Sequence, residues 1–339
     1  MHKPLNVAIV GAGLMGKWHA YYALQLKANI VAIIDENLSQ AELLASQCLQ
    51  AKAYDDFTLL LQDGVADVVH ICTPLDSHFS LVKLAINAGL HVIVEKPLVS
   101  DVRQTEELLK LAKQKGILLF PVHQFSNQLP VKKLLTNEQL GELRRFDFVT
   151  CSAGAEQVPL ALLNNEVADI LPHPLSLFQT FKSRIDLSEI NWHVHNSSPG
   201  ECTVHAIHDK VLFNIYISMS SRPTRCELHI FGTKAKATLN LFHGYMAVES
   251  GSPTRFQKIV QPFKYSAQLF FNATINLCRR VIQRENAYPG LRDLLTASYA
   301  DIQNSLDVSA VNEKILEVAQ ARENIICHFT SIQNTKKEL

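Results

Sequence analysis

The chain has 339 residues, and the soft rule of about 150 residues per domain predicts two domains. Hydrophobic residues make up 47% and charged residues 19%, too apolar a mixture for disorder, and 32 basic residues cancel 32 acidic ones. That balance excludes a nucleic-acid or anionic-membrane protein held by overall charge, and no apolar run approaches the roughly 18 residues a membrane helix needs.

Seven cysteines, an odd number with no Cys-x-x-Cys, support neither a disulfide framework nor a zinc ribbon. A reduced, cytoplasmic setting is expected. Lys3 followed by the apolar Leu5–Met15 run could mimic a secretory leader. Its interrupting glycines make it read as a strand followed by a phosphate loop.

In chain order, Leu5–Val10 is a short apolar run, followed by Gly11-Ala12-Gly13-Leu14-Met15-Gly16 and a helical stretch to about Lys27. Ile30–Ile34 is a strand ending at Asp35, and Ser39–Cys48 is helical. Asp67–Cys72 is a strand broken by Thr73-Pro74, and Ser80–Ala88 is a helix capped by Gly89. His91–Val94 is a strand closed by Glu95-Lys96-Pro97, then come a helix at Thr105–Lys115 and a strand at Ile117–Val122. Continuously apolar strands alternating with helices predict a doubly wound parallel sheet, the Rossmann architecture, over residues 1–122.

The texture changes after about His123. Glu142–Cys151, Cys202–His208, Lys210–Met219, Arg225–Phe231, Ala235–Leu241 and Tyr245–Glu249 read as strands with short connections. They predict an α+β domain over residues 123–287, built on an open antiparallel sheet. Helices return at Ser266–Arg284, Gly290–Asn304 and Ser309–Ile326, and those within about 288–326 are expected to pack back on the first domain.

The three glycines Gly11, Gly13 and Gly16 follow a strand and open a helix. The first permits a tight turn, the second lets backbone approach a pyrophosphate, and the third lets helix pack on strand. The helix N-terminus, through Leu14 and Met15, offers N–H groups and partial positive charge to phosphates. Asp35 lies 19 residues past Gly16, where a carboxylate can accept from both ribose hydroxyls and repel a 2′-phosphate. The cofactor expected is therefore NAD rather than NADP.

The fingerprint, His19 on the first helix, Thr73-Pro74-Leu75-Asp76-Ser77-His78 and Glu95-Lys96-Pro97 together resemble the Gfo/Idh/MocA oxidoreductases, the glucose–fructose oxidoreductase and inositol dehydrogenase relatives. The resemblance is specific over the first ~125 residues. It continues more loosely through the Gly232-Thr233 turn and the 287–305 segment. It implies cofactor contacts from Thr73, Pro74, His78 and Glu95, and places Lys96 beside the nicotinamide. A lysine there can hydrogen-bond the reacting oxygen and stabilise developing alkoxide charge. The family's Asp-x-x-x-His is matched by Asp169 and His173, the histidine being the implied general acid/base. His173 precedes a proline, so the sequence predicts a helix with His173 as its cap and Pro174 as its first residue. Leu171 and Ser176 depart from the family pattern: a glycine is common at the first position and a second acidic residue at the other.

The implied activity is an NAD(P)-dependent dehydrogenase or reductase acting on CH–OH groups of a sugar, polyol or sugar derivative. Two alternatives stay open, an NAD-retaining lyase or hydrolase of the same family and a catalytically silent dinucleotide- or sugar-binding regulatory protein. A homodimer or homotetramer through the second domain's sheet is expected, with no nucleic-acid or membrane partner. His193, His195, His205 and His208 lack acidic or thiol partners nearby in sequence, so no metal site is expected.

Overall fold

The computed structural model describes residues 3–136, 138–152, 158–182, 185–251 and 254–335. The chain divides into two compact units, Met1–His123 with Leu291–Ala319, and Gln124–Gly290 with Gln320–Leu339.

The first unit runs β1 (Asn6–Val10), α1 (Leu14–Gln25), β2 (Asn29–Ile34), α2 (Leu38–Ala45), β3 (Lys52–Tyr54), α3 (Phe57–Asp63), β4 (Val68–Ile71), α4 (His78–Asn87), β5 (His91–Val94), α5 (Val102–Lys115) and β6 (Leu119–Pro121). Its six strands are all parallel, in the order β3-β2-β1-β4-β5-β6. The order reverses at β1–β4, the switch point at which such sheets bind ligands. On one face, Ala8, Val10, Val69, Ile71, Val92 and Val94 pack against Val82 and Ile86 of α4 and Leu108 and Ala112 of α5. On the other face His70 meets His19 of α1 and Tyr299 of α10 (Leu291–Gln303). Both faces are covered, which is why these strands are apolar without alternation. The short β3 and α3 carried too little apolar periodicity to be read from sequence.

The second unit contains α6 (Leu129–Leu135), β7 (Leu143–Cys151), α7 (Leu163–Ile170), α8 (Pro172–Phe181), β8 (His193–Ser198), β9 (Glu201–His208), β10 (Val211–Ser218), β11 (Arg225–Gly232), β12 (Ala235–Asn240), β13 (Tyr245–Ser250) and α9 (Arg255–Ile282). Helix α11 (Val308–Thr335) starts in the first unit and ends in the second. The sheet order is β13-β12-β11-β7-β10-β9-β8. All pairs are antiparallel except β7–β10, which run parallel with Phe146 opposite Phe213. The sheet is thus mixed and mostly antiparallel rather than wholly antiparallel. The strands alternate: Phe213, Ile215 and Ile217 of β10 are buried while Leu212, Asn214 and Tyr216 are only partly so. The buried face is closed by an aromatic cluster in which Phe178 of α8 lies 4.1 Å from Phe146 and 4.8 Å from Phe213, centroid to centroid.

Helix boundaries differ from the sequence reading, among them the end of α11, at Thr335 rather than Ile326. Helix α9 begins at Arg255, not Ser266, and carries Pro262 inside it. Helix α8 begins at Pro172, so His173 lies inside the helix rather than capping it. Leu171 has helical dihedrals, and its N–H bonds Val167 while its carbonyl accepts from Leu175. Pro172 and Pro174 both fall in the first turn, where a missing N–H leaves no intrahelical bond unmade.

Candidate active site

The nucleotide loop is built by three glycines doing three different things. Gly11 has φ +95°, and a Cβ there would lie 2.7 Å from the Cys72 carbonyl oxygen of the neighbouring strand end. A Cβ on Gly16 would collide with the Gly11 carbonyl oxygen, so α1 can approach β1 this closely only without a side chain. A Cβ on Gly13 would meet nothing within 4 Å, so that backbone faces open space. Gly13 is the N-cap of α1 and no side chain caps the helix. The first turn, through Leu14, Met15 and Gly16, therefore keeps its N–H groups and dipole for an anion.

Asp35 follows β2 and is tied down from both oxygens: Oδ2 accepts from the Ala12 N–H at 2.7 Å and Oδ1 from the Asn37 N–H at 2.9 Å. Each oxygen retains a second lone pair for a ligand hydroxyl. A cleft of about 660 Å³ opens here, lined by Gly11, Gly13, Asp35, Thr73 and Pro74. Glu36, Asp55, Asp56 and Asp76 add four more acidic residues to its wall. The lining fits the adenosine and pyrophosphate portion of a dinucleotide, with the glycine turn for phosphate and the carboxylates for a ribose bearing free hydroxyls.

The next two loops along the sheet edge meet on either side of His78. Its ring is buried, with Nε2 at 2.9 Å from the Thr73 carbonyl oxygen and Nδ1 at 3.0 and 3.1 Å from those of Pro97 and Leu98. His78, expected as a cofactor contact, lies between the Thr73-Pro74 loop and the Glu95-Lys96-Pro97 loop. Glu95 likewise turns inward: Oε1 lies 3.2 Å from Nε2 of the buried His19, and Oε2 accepts from the Lys96 N–H.

His123 is a residue no motif announced. Val94 of β5 pairs in parallel with Pro121 of β6, so two residues further on Lys96 and His123 are neighbours. Burial, reinforced by the Lys96 ammonium and opposed by the Glu95 carboxylate, lowers the His123 pKa to about 4. Its ring is neutral near pH 7. The signal was available in the register of the two strands, not in the composition of the loop.

His173 and Asp169 belong to the second unit. The His173 ring is buried against Phe125, 4.5 Å between centroids, and its carbonyl accepts from Ser176 Oγ at 3.0 Å. Asp169 Oδ1 lies 3.7 Å from Nη2 of Arg322 on α11. Arg322 Nε also donates to the Ala168 carbonyl at 2.9 Å, so the guanidinium anchors the end of α7. Burial lowers the arginine's pKa while Asp169 and Glu323 oppose that shift.

Residues 5–123 match the Gfo/Idh/MocA family profile, described as an oxidoreductase family with an NAD-binding Rossmann fold. Over these residues the chain is similar to that family. It is 36% identical over 145 residues to D-glucoside 3-dehydrogenase of Escherichia coli, an alignment spanning 41% of either chain. It is 23% identical to UDP-N-acetylglucosamine 3-dehydrogenase of Acidithiobacillus ferrooxidans over 95% of this chain and 91% of the relative. Among solved structures, a levoglucosan dehydrogenase in complex with NADH and levoglucosan superposes with a TM-score of 0.76 at 17% identity, covering 96% of each chain. A 3-ketoreductase of Actinomadura kijaniata in complex with NADP gives 0.71 at 16% identity, covering 95% of this chain and 97% of that one. The structural likenesses carry the two-sheet fold over 95–96% of the chain. Among the described residues, no helix is long and apolar enough to cross a membrane.

Proposed function

We propose that this oxidoreductase moves a hydride between the nicotinamide of NAD(P) and a carbinol carbon of a sugar, polyol or sugar derivative. The single observation that carries the reading is the juxtaposition of an uncapped helix N-terminus, an open glycine backbone at Gly13 and a tethered Asp35 around one cleft. Relatives named as sugar 3-dehydrogenases and a 3-ketoreductase support the substrate class. Bound NAD would supply the hydride acceptor. Gly11, Gly13 and the first turn of α1 would hold its diphosphate, and Asp35 its ribose.

In this reading Lys96 donates a hydrogen bond to the reacting oxygen and stabilises it as it becomes alkoxide. His173 takes the hydroxyl proton, and Asp169, steadied by Arg322, orients the substrate or the histidine. NAD is preferred over NADP, because Asp35, Glu36, Asp55, Asp56 and Asp76 set five acidic side chains around the cleft that a 2′-phosphate would have to enter.

The reading also pairs the open face of the seven-stranded sheet with that of a second copy, giving a homodimer or homotetramer in the cytoplasm. Its support is the partly exposed Val149, Leu212, Tyr216 and Phe231 on that face. A strictly monomeric mass at micromolar concentration would refute the pairing.

The deciding experiment is Lys96→Met. Turnover of NAD with a panel of aldoses and polyols should fall roughly 10²–10³-fold, as on removing an oxyanion donor, while calorimetric NADH affinity stays within threefold. Unchanged turnover would remove Lys96 from the mechanism. Product without net NADH would favour an NAD-retaining lyase or hydrolase instead.

A further inference from the structure

Within the first unit a string of buried polar side chains runs behind the Glu95-Lys96-Pro97 loop. Tyr299 Oη lies 3.1 Å from His70 Nε2, His70 Nδ1 lies 3.0 Å from His19 Nδ1, and His19 Nε2 lies 3.2 Å from Glu95 Oε1. His19 and His70 are fully buried and Tyr299 nearly so. The other Glu95 oxygen accepts from the Lys96 N–H. We propose that His19 and His70 are positioning residues for Lys96: the string donates in one direction, Tyr299 to His70 to His19 to Glu95, and so holds the lysine's turn in a single orientation. The proposal rests on the oxidoreductase reading only for the task given to Lys96.

The direction follows from what each group can do. A carboxylate only accepts, so His19 Nε2 carries a hydrogen. The Tyr299 hydroxyl has no hydrogen-bond partner among the described residues other than His70 Nε2. If His70 Nε2 carried a hydrogen, the phenolic hydrogen would be left buried and unpaired, which is costly. His70 Nε2 is therefore the acceptor, and burial, with the neighbouring His19, keeps that ring well below the ordinary imidazole range and so neutral. Its one hydrogen sits on Nδ1 and points to His19 Nδ1, which must then be a lone pair. Every donor meets an acceptor once, and no hydrogen is left over.

The same bookkeeping separates a brace from a proton wire. Shifting each hydrogen one place along the string would protonate Glu95 and leave Tyr299 as a tyrosinate. Burial raises the Tyr299 pKa far above the ordinary phenol range, so that state is strongly disfavoured. The string keeps its polarity through turnover and acts by holding Glu95, in the way an outer partner fixes the tautomer and aim of a functional histidine.

The test has two independent readouts on the full-length protein. Nitrogen-15 spectra of labelled histidine at pH 7 should show His19 protonated on Nε2 alone and His70 on Nδ1 alone. A doubly protonated His19, or His70 protonated on Nε2, overturns the proposal. In kinetics with NAD and the aldose and polyol panel, His19→Leu should lower kcat at least tenfold with NADH affinity within threefold. His19→Gln, whose amide can accept from His70 and donate to Glu95, should recover to within threefold of the wild type. Equal loss in both folded variants, or no loss in either, also overturns it. Absence of turnover in the wild type would defeat the oxidoreductase reading alone, and the tautomers would still decide the brace.

Discussion

The two sheets bury their residues in different rhythms. All four residues of β4 in the parallel sheet are buried, whereas β10 in the mixed sheet buries one residue and half-exposes the next. A sheet covered on both faces leaves only the ends of its strands for chemistry, and the groups of the first unit gather there. Gly11, Asp35, Thr73, Lys96 and His123 all lie just past the C-terminal ends of strands. The mixed sheet instead offers a whole face, and the candidate residues of its unit sit on helices beside it. The first arrangement ties function to short motifs. The second ties it to packing.

The sharpest way to break this contrast is Gly16→Ala. Its Cβ would collide with backbone, not with a movable side chain. NADH affinity should fall by roughly a hundredfold or more, because α1 must shift off the turn that cradles the diphosphate. Calorimetry checks it, and near-normal binding would show that the loop tolerates what the geometry forbids. The counterpart in the second unit is Phe178→Ala, which empties the aromatic cluster with Phe146 and Phe213. Denaturant titration should show a loss of about 3–5 kcal/mol, while NADH affinity measured before the transition stays unchanged. A parallel loss of NADH affinity would refute the assignment of the two functions to two separate cores.

Asp35→Asn is the next in size. It removes one negative charge from a cleft that also holds Glu36, Asp55 and Asp56, while leaving an oxygen able to accept one backbone bond. The ratio of NAD to NADP affinity should fall about tenfold, equivalent to ~1.4 kcal/mol. An unchanged ratio would mean the acidic wall does not read the 2′ position.

Legibility followed the same division. The phosphate turn, Asp35, the Thr73-Pro74 loop and Glu95-Lys96-Pro97 could be placed because each follows an apolar strand, and strand ends in a parallel sheet are all at one edge. His78 and Glu95 were marked by their motifs, but their neighbours were not, since a histidine buried between two loops looks in sequence like any other polar loop residue. The helix start at His173 was misread because a residue before proline disfavours helical dihedrals. Here Pro172 and Pro174 both fit the unbonded first turn of a helix that continues almost directly from α7. The parallel β7–β10 pair was hidden for a different reason: strand patterning fixes faces, not direction.

An effect of similar size to that of Asp35→Asn tests the neighbour that register alone revealed. His123 titrates at about 4 in the fold, against about 6.5 in an unfolded chain. Above pH 6.5 the ring is neutral in both states and costs nothing. As pH falls from 6.5 toward 4 the unfolded chain binds a proton that the fold refuses, so stability drops across that window and levels off below it. Full linkage over the shift would reach about 3 kcal/mol, and a partly exposed ring should deliver about 1–2 kcal/mol of it. His70 and His91 are lowered too, so the measurement is the difference between wild type and His123→Gln in denaturant titrations at pH 7.5, 5.5 and 4.5. The variant should lose less stability between the first and last of these. Identical pH profiles would mean that the Lys96 ammonium and the buried sheet edge do not act on His123, and the adjacency inferred from β5 and β6 would fall with them.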